Sequence, residues 1–352
     1  MTDYQPSELS GVVYRILDAN LDRAREGLRI IEEWCRFGLN DVSFAGQCKA
    51  LRQALAQWHN AELRAARSTP TDPGTALTHP NEAQRSGLNQ LLQANFCRVQ
   101  EALRVLEEYG KLYKPEMAAS CKQMRYEVYT LESDLLAHQR HHKLQRSQLY
   151  LVTMPQDNLL SVVEEALQGG LTLVQYRDKI ADDKTRLHQA KQLKQLCQDY
   201  DALFLVNDRV DLALAVGADG VHLGQHDVPV ALARELLGPH AIVGKSTTSP
   251  KEMEAALQEG ADYIGVGPVY ETPTKAGKAA AGLSYVRYAQ ENSTVPWFCI
   301  GGIDTDNLGH VLGAGATRVA VVRAIMQAEH PTLITQYFLS QLVHAQTMRT
   351  HK

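Results

Sequence analysis

Hydrophobic and polar positions follow two different rhythms along this chain. From residue 1 to 140 apolar side chains recur at three- and four-residue spacings, the period of helices that bury one stripe. From residue 148 onward short apolar runs alternate with helical stretches of about a dozen residues. The runs are QLYLVTM (148–154), LTLVQYRDK (171–179), ALFLVND (202–208), GVHLGQHD (220–227), AIVGKST (241–247), YIGVGPVY (263–270), PWFCIGG (296–302) and RVAVVRA (318–324). LITQYFLSQLVHAQ (333–346) closes the series as a helix. Eight βα units in about 200 residues predict a (β/α)8 TIM barrel in an α/β chain. An open doubly wound sheet is disfavoured, because no G-x-G-x-x-G follows any run. The polar stretch HQRHHKLQRS (138–147) reads as the junction. The predicted division is an all-α domain over 1–140, a linker over 141–147 and the barrel over 148–346.

The helical part contains an internal repeat. NLDRAREGLRIIEE (20–33) and NFCRVQEALRVLEE (95–108) stand 75 residues apart, with Asn20/Asn95, Arg23/Arg98, Glu26/Glu101, Leu28/Leu103, Arg29/Arg104 and Glu32–Glu33/Glu107–Glu108 in register. Helical spacing puts Glu26, Arg29 and Glu33 on one stripe, and Glu101, Arg104 and Glu108 on another. Two explanations fit: a structural pseudo-two-fold in which the two helices pair through Arg–Glu contacts, and a polar ligand site at their seam. STPTDPGTALTHPN (68–81), rich in breakers, separates the two copies.

Length and composition narrow the picture further. At 352 residues the chain exceeds what one core comfortably serves, which agrees with two domains. With 44% apolar and 22% charged residues it is an ordinary globular composition. A formal net charge of −4 argues against a general nucleic-acid surface. No apolar run is long enough to span a bilayer, and MTDYQPSELS lacks a signal-peptide core, so a cytoplasmic protein is expected. Six scattered cysteines without C-x-x-C spacing suggest neither a zinc site nor disulfides. Composition leaves the oligomeric state open, and a homo-oligomer is compatible with it.

In a barrel the site lies at the carboxyl ends of the strands. There the sequence gathers Gln175, Arg177 and Lys179 on one side of the second run, with Tyr176 and Asp178 on the other. Asn207 and Asp208 end the third run, Asp227 the fourth, and Ser246 the fifth. Thr272, Pro273, Thr274 and Lys275 follow the sixth, Gly301 and Gly302 end the seventh, and Val322 and Arg323 the eighth. Singly these are solvated strand ends, helix caps or turns. Together they supply cations for a pyrophosphate (Arg177, Lys179, Lys275), two carboxylates for a shared Mg²⁺ (Asp208, Asp227), and hydroxyls with bare backbone for a second phosphate. GKST (244–247) mimics the end of a P-loop, but Gly238 is one residue too far upstream and the segment reads as a strand.

Taken in order, VQYRDK, VNDRVDLALAVGADGVHLGQHD, GKSTTS, GVGPVYETPTK, CIGGI and VAVVRAI resemble the thiamine-phosphate synthase (thiamine-phosphate pyrophosphorylase) family over essentially all of residues 148–326. The resemblance implies a transferase of thiamine biosynthesis with one Mg²⁺ per active site. It would condense 4-amino-2-methyl-5-hydroxymethylpyrimidine diphosphate with 4-methyl-5-(2-phosphoethyl)thiazole, or its carboxylate, giving thiamine phosphate and pyrophosphate. It further implies that Gln175 to Lys179, Asn207, Ser246 and Lys275 hold the pyrimidine diphosphate, that Asp208 and Asp227 ligate the metal, and that Arg177, Lys179 and Lys275 carry catalysis. Thr272, Pro273, Thr274, Gly302, Val322 and Arg323 would hold the thiazole phosphate. Tyr176 departs from a smaller apolar residue, and Arg323 stands where serine is frequent. A thiazole tautomerase or a non-catalytic sensor of thiamine precursors has no use for the metal and pyrophosphate groups. Residues 1–140 resemble the helical extension of some cyanobacterial members, associated with phosphorylation of hydroxymethylpyrimidine phosphate, although they hold no nucleotide-phosphate motif.

Overall fold

The computed structural model describes residues 6–68, 72, 85, 87–271 and 279–350. The chain divides into two compact units, Met1–Leu136 and Ala137–Lys352.

The first unit is helical: α1 (Pro6–Glu33), a π-turn (Trp34–Gly38), α2 (Val42–Ala56), α3 (Ala61–Ala65), α4 (Leu88–Gly110) and α5 (Pro115–Arg146), whose residues up to Leu136 belong to it. Asp41 caps α2 by accepting the Ser43 and Phe44 amides, and Asn60 caps α3. The repeated segments form α1 and α4, which pack together through an apolar core that includes Leu21, Leu28, Phe96, Val99 and Leu103. Gly27 allows the close approach, since a Cβ there would stand 2.7 Å from Val99 and 3.1 Å from the Asn95 carbonyl.

The expected Arg–Glu pairing between these two helices does not occur. Arg29 pairs with Glu32 at 3.4 Å and with Glu33 on its own helix, and Arg104 pairs with Glu107 at 2.9 Å and Glu108 at 3.0 Å on its own. The inner carboxylate of each stripe instead reaches a third helix: Glu32 takes Arg52 of α2 at 2.5 Å, and Glu107 takes Arg125 of α5 at 2.9 Å. The seam itself is apolar, and that leaves the arginines no route across it.

The second unit is a closed barrel of eight parallel strands in sequence order: β1 (Leu149–Val152), β2 (Leu173–Tyr176), β3 (Leu203–Asn207), β4 (Gly220–Leu223), β5 (Ile242–Thr247), β6 (Tyr263–Val266), β7 (Trp297–Ile300) and β8 (Val319–Val321). β8 returns to β1 with Leu149, Tyr150 and Leu151 opposite Val319, Ala320 and Val321. Alternation sorts the strands into two layers. Tyr150, Val152, Leu173, Leu203, Leu205, Tyr263, Phe298 and Ala320 fill the interior. Leu151, Val174, Tyr176, Phe204, Val221, Val243, Ile264, Cys299 and Val321 face the surrounding helices, α6 (Leu159–Gln168) to α14 (Pro331–Thr350). GKST lies in β5 as expected, with Lys245 pairing Glu259 at 3.1 Å.

The stretch read as a linker is helical instead, because α5 continues through Arg146. Its polar residues were a sign of docking: His141 meets Asp262 at 3.2 Å, Arg140 meets Asp219 at 3.6 Å, and Lys143 pairs with Asp201, while Leu144 is buried in the barrel floor. None of the six cysteines forms a disulfide. Among the described residues no helix is long and apolar enough to cross a membrane.

Candidate active site

A chain of hydrogen bonds crosses the barrel interior below its mouth. Gln175 Nε2 on β2 donates to the Tyr150 hydroxyl of β1 at 2.5 Å, and Tyr150 meets the Tyr263 hydroxyl of β6 at 2.7 Å. Tyr263 lies 2.9 Å from His222 Nδ1 on β4, whose Nε2 lies 2.9 Å from Ser246 Oγ on β5. Because the glutamine nitrogen can only donate, Tyr150 is free to donate to Tyr263, Tyr263 to His222 Nδ1, and the imidazole Nε2–H to Ser246. Burial pushes both phenols above their ordinary range, so both keep the protons this order requires. Above the chain lies a cavity of about 70 Å³, lined by Gln175, Arg177, Asn207, His222 and Ser246 among others.

Sequence reasoning found Gln175, Arg177, Asn207 and Ser246 at this place and missed Tyr150, Tyr263 and His222. The missing signal was the alternation itself: carried down the strands rather than applied at their ends, it puts all three polar rings inward among apolar neighbours. Tyr176 points the other way, into the helix layer, and its hydroxyl donates to Gln189 of α7 (Asp183–Asp199) at 2.8 Å. Its side chain lies away from the mouth, as alternation along β2 predicts, which leaves its backbone for any contact with substrate. The Asp178 carboxylate is likewise spent locally, accepting the Ile180 and Ala181 amides at 2.7 and 2.9 Å.

At the rim, Arg177 is anchored by its own amide, which donates to Thr153 Oγ1 at 2.9 Å. Lys179 Nζ lies 2.9 Å from Asp208 Oδ2. Asp208 adopts a left-handed backbone with φ 61°, and its amide donates to the His222 carbonyl at 2.8 Å, which ties the end of β3 to β4. Asp227 accepts the Gly224 amide at 2.6 Å. Each carboxylate alters the other's hold on a proton. Burial raises the affinity of Asp208 for a proton, but Lys179 and the contact with Asp227 outweigh it and hold Asp208 below the ordinary carboxylate range. Burial and the neighbouring Asp208 push Asp227 up, against the Gly224 amide. Among the described residues no group of three His, Cys, Asp or Glu side chains converges to hold a metal. What is present is a pair of hard oxygen donors with an ammonium against one of them. That set fits a Mg²⁺ that draws its remaining ligands from water and substrate phosphate.

A second, larger cavity of about 310 Å³ opens over β7 and β8, lined by Pro268, Gly301, Gly302, Asp304, Val322 and Arg323 among others. Gly301 and Gly302 have φ 106° and 67°, where a side chain is strained, and a Cβ on Gly302 would stand 2.8 Å from the Tyr270 Cβ. Asn307 secures this turn by donating to the Gly302 carbonyl at 2.7 Å. Val322 and Arg323 stand where β8 passes into α13 (Arg323–Met326), Arg323 with its side chain exposed. The two cavities share Ile300, Ala320 and Val322 in their walls, so they adjoin. Thr272, Pro273, Thr274 and Lys275 lie outside the described residues.

Comparison with known proteins gives a consistent result. A family model described as thiamine monophosphate synthase matches residues 149–325, and one described as the ThiD2 family matches residues 15–134. A thiamine-phosphate synthase of Nostoc punctiforme is 69% identical over 338 residues, covering 96% of each chain. A thiamine-phosphate synthase of Synechocystis sp. is 66% identical over 330 residues, covering 94% of this chain and 96% of its own. The solved thiamine phosphate pyrophosphorylase of Pyrococcus furiosus is 38% identical, covers 57% of this chain and 98% of its own, and superposes with a TM-score of 0.53.

Proposed function

The chain belongs to the thiamine-phosphate synthase family, a family of transferases, and from that premise we propose how its barrel mouth joins two phosphorylated halves. The pyrimidine of 4-amino-2-methyl-5-hydroxymethylpyrimidine diphosphate enters the small cavity, its polar edge against Gln175, Asn207 and Ser246. Its diphosphate lies at the rim beside Arg177 and Lys179, and Lys275, which follows β6 in the sequence, is the third cation assigned to it. The thiazole, as 4-methyl-5-(2-phosphoethyl)thiazole or its carboxylate, occupies the larger cavity. Its phosphate meets backbone amides around Gly302 and Val322–Arg323. The observation that carries the reading is the shared wall of the two cavities, which brings a ring in one within reach of a ring in the other.

The bond from the pyrimidine methylene carbon to the diphosphate oxygen breaks first, and the oxygen keeps the electron pair. The thiazole nitrogen then donates its lone pair to that carbon and closes the new C–N bond; from the carboxylate form CO2 also leaves, its bonding electron pair stays on the ring carbon, and a solvent proton takes its place. That nitrogen carries no proton, so no general base is required, in keeping with a mouth that presents cations and carboxylates rather than a nucleophile–base pair. Stabilising the departing negative charge is then the principal demand, and Arg177, Lys179 and Lys275 are the groups that meet it. Asp208 and Asp227 would hold a Mg²⁺, which supplies further charge neutralisation to the leaving group. The His222–Tyr263–Tyr150–Gln175 chain fixes Ser246 and Gln175 in orientation before substrate arrives.

Purified protein supplied with both substrates and Mg²⁺ should release thiamine phosphate and pyrophosphate in equal amounts, and chelation should abolish both. Asp208→Ala and Lys275→Ala should each lower turnover by at least ~100-fold, the scale of lost electrostatic stabilisation. Near-normal rates in both variants would mean that the site lies elsewhere.

A further inference from the structure

Tyr150, Tyr263 and His222 are all buried in the barrel interior. Leucine, valine or phenylalanine would fill the same space with no polar group to satisfy, so packing does not account for them. Room for them is built into the neighbouring strands. Gly244 stands opposite Tyr263 in the register of β5 and β6, and a Cβ there would lie 2.1 Å from the Tyr263 ring and 2.5 Å from its hydroxyl oxygen. Phe298 of β7 packs edge-on against both phenols, with ring centroids 5.2 Å from Tyr150 and 5.8 Å from Tyr263. The glycine of GKST therefore makes room for a hydroxyl.

The hydrogen bonds among these rings can run in only one direction. Among the described residues the Tyr150 hydroxyl has two partners, and one of them, Gln175 Nε2, cannot accept. The Tyr150 proton therefore goes to the Tyr263 oxygen. Tyr263, already accepting from Tyr150, gives its own proton to His222 Nδ1. An imidazole that accepts at Nδ1 carries its proton on Nε2, and donates it to Ser246 Oγ. The reverse order would leave the buried Tyr150 proton without an acceptor.

That direction decides what the two ends of the chain offer to the small cavity. Ser246 has its carbonyl held by Gln225 Nε2 at 2.5 Å and its hydroxyl oxygen accepting from His222. Its own proton is left for the cavity, whose wall it forms with Gln175. At the other end Gln175 turns its nitrogen to Tyr150, and its Oε1 has no protein partner among the described residues. The cavity is thus given a donor at Ser246 and an acceptor at Gln175.

We infer that Tyr150, Tyr263 and His222 are positioning residues that fix this polarity, and that the polarity selects a ring bearing an amino group and an unprotonated ring nitrogen over its oxo counterpart. The amino group donates to Gln175 Oε1, and the ring nitrogen accepts from Ser246. In the oxo ring both are reversed: a carbonyl faces Oε1, and a ring N–H faces the serine proton. The inference rests on the proposed place of the pyrimidine in the small cavity, and adds what makes that cavity accept one pyrimidine and refuse another.

The test assays the full chain with 4-amino-2-methyl-5-hydroxymethylpyrimidine diphosphate as substrate and its 4-oxo counterpart as competitor. An inhibition constant is the measure, because the oxo ring's own reactivity does not enter it. In the parent the competitor should bind at least ~100-fold more weakly than the substrate, the scale for a site whose buried polar groups are left unpaired. Tyr150→Phe frees the Gln175 amide to take either orientation, and that ratio should fall by about tenfold, roughly the effect of one lost hydrogen bond. Tyr263→Phe should lower it further. The Tyr150 proton then has only Gln175 Oε1 to go to, which turns the amide round, and His222 no longer fixes Ser246. The KM for the thiazole phosphate, read in the same assays, reports whether the variants are folded. Rings that merely fill the interior would, when altered, weaken both pyrimidines together; an unchanged ratio would overturn the inference. So would a parent that binds the oxo ring as tightly as the amino ring, a result that needs no variant. A parent that forms no thiamine phosphate would remove the reading on which the inference rests.

Discussion

Asp208 combines a backbone that side chains rarely adopt with a carboxylate that we propose holds Mg²⁺. Its φ of 61° is one that asparagine and aspartate tolerate best, and its amide is spent on the His222 carbonyl. Asp208→Asn keeps that tolerance and removes the charge. We expect its stability to stay within about 0.5 kcal/mol of the parent, while turnover falls by at least ~100-fold; chemical denaturation and a synthase assay on one preparation check both. Gly302 is constrained in the opposite sense, by the absence of a side chain. Gly302→Ala forces a Cβ to 2.8 Å from Tyr270 at φ 67° and disturbs the amides around the larger cavity. The KM for the phosphorylated thiazole should rise by about tenfold, roughly the loss of one good contact, with little change for the pyrimidine diphosphate. Equal changes in both constants would place Gly302 outside the thiazole site.

Among elements, α1 and α4 show how a repeated sequence is used. The recurring Arg and Glu residues do not bind the two helices to each other; they bind each helix to a different neighbour, through Glu32 to Arg52 and Glu107 to Arg125. Glu32→Gln leaves the half-buried Arg52 without its carboxylate and should cost about 1–3 kcal/mol in denaturant unfolding. A loss below that range would make the pair a solvated contact. The end of α5 docks differently, through a titrating group. The hydrogen bond with Asp262 raises the pKa of His141 above its ordinary value near 6.5, against the effect of burial. A raised histidine stabilises most below its unfolded pKa, where it is charged in both states, and loses that contribution as pH climbs through the folded value. His141→Ala should therefore lower Tm most near pH 5.5–6, and the gap to the parent should narrow above pH 8. A gap that widens with pH would reverse the assignment.

For the whole molecule, two units with separate cores imply that the barrel carries its own chemistry. The second unit begins at Ala137, inside α5, because Arg140, His141, Lys143 and Leu144 belong to the barrel floor. A fragment of residues 137–352 should keep synthase turnover within about threefold of the full chain, since none of the mouth residues lies outside it. A fragment starting at Ser147 should be markedly less stable, having lost that docked turn of helix. Comparable melting of the two fragments would count against it. Strand number, order and class followed from the amino-acid pattern alone, because inside-outside alternation and βα spacing are local properties of the chain. Local too were the rim groups Arg177, Asp208, Asp227 and Gly302, which stand where each strand ends. Tertiary structure alone decided what those groups touch. The chain from Gln175 through Tyr150, Tyr263 and His222 to Ser246 joins five strands whose order around the barrel brings together residues as much as 113 positions apart. Likewise the helix through residues 138–146 and the partners of Glu32 and Glu107 were set by burial against distant elements. Propensity and spacing act over a few residues, whereas the free energy of burying a polar group depends on which partner the fold delivers to it.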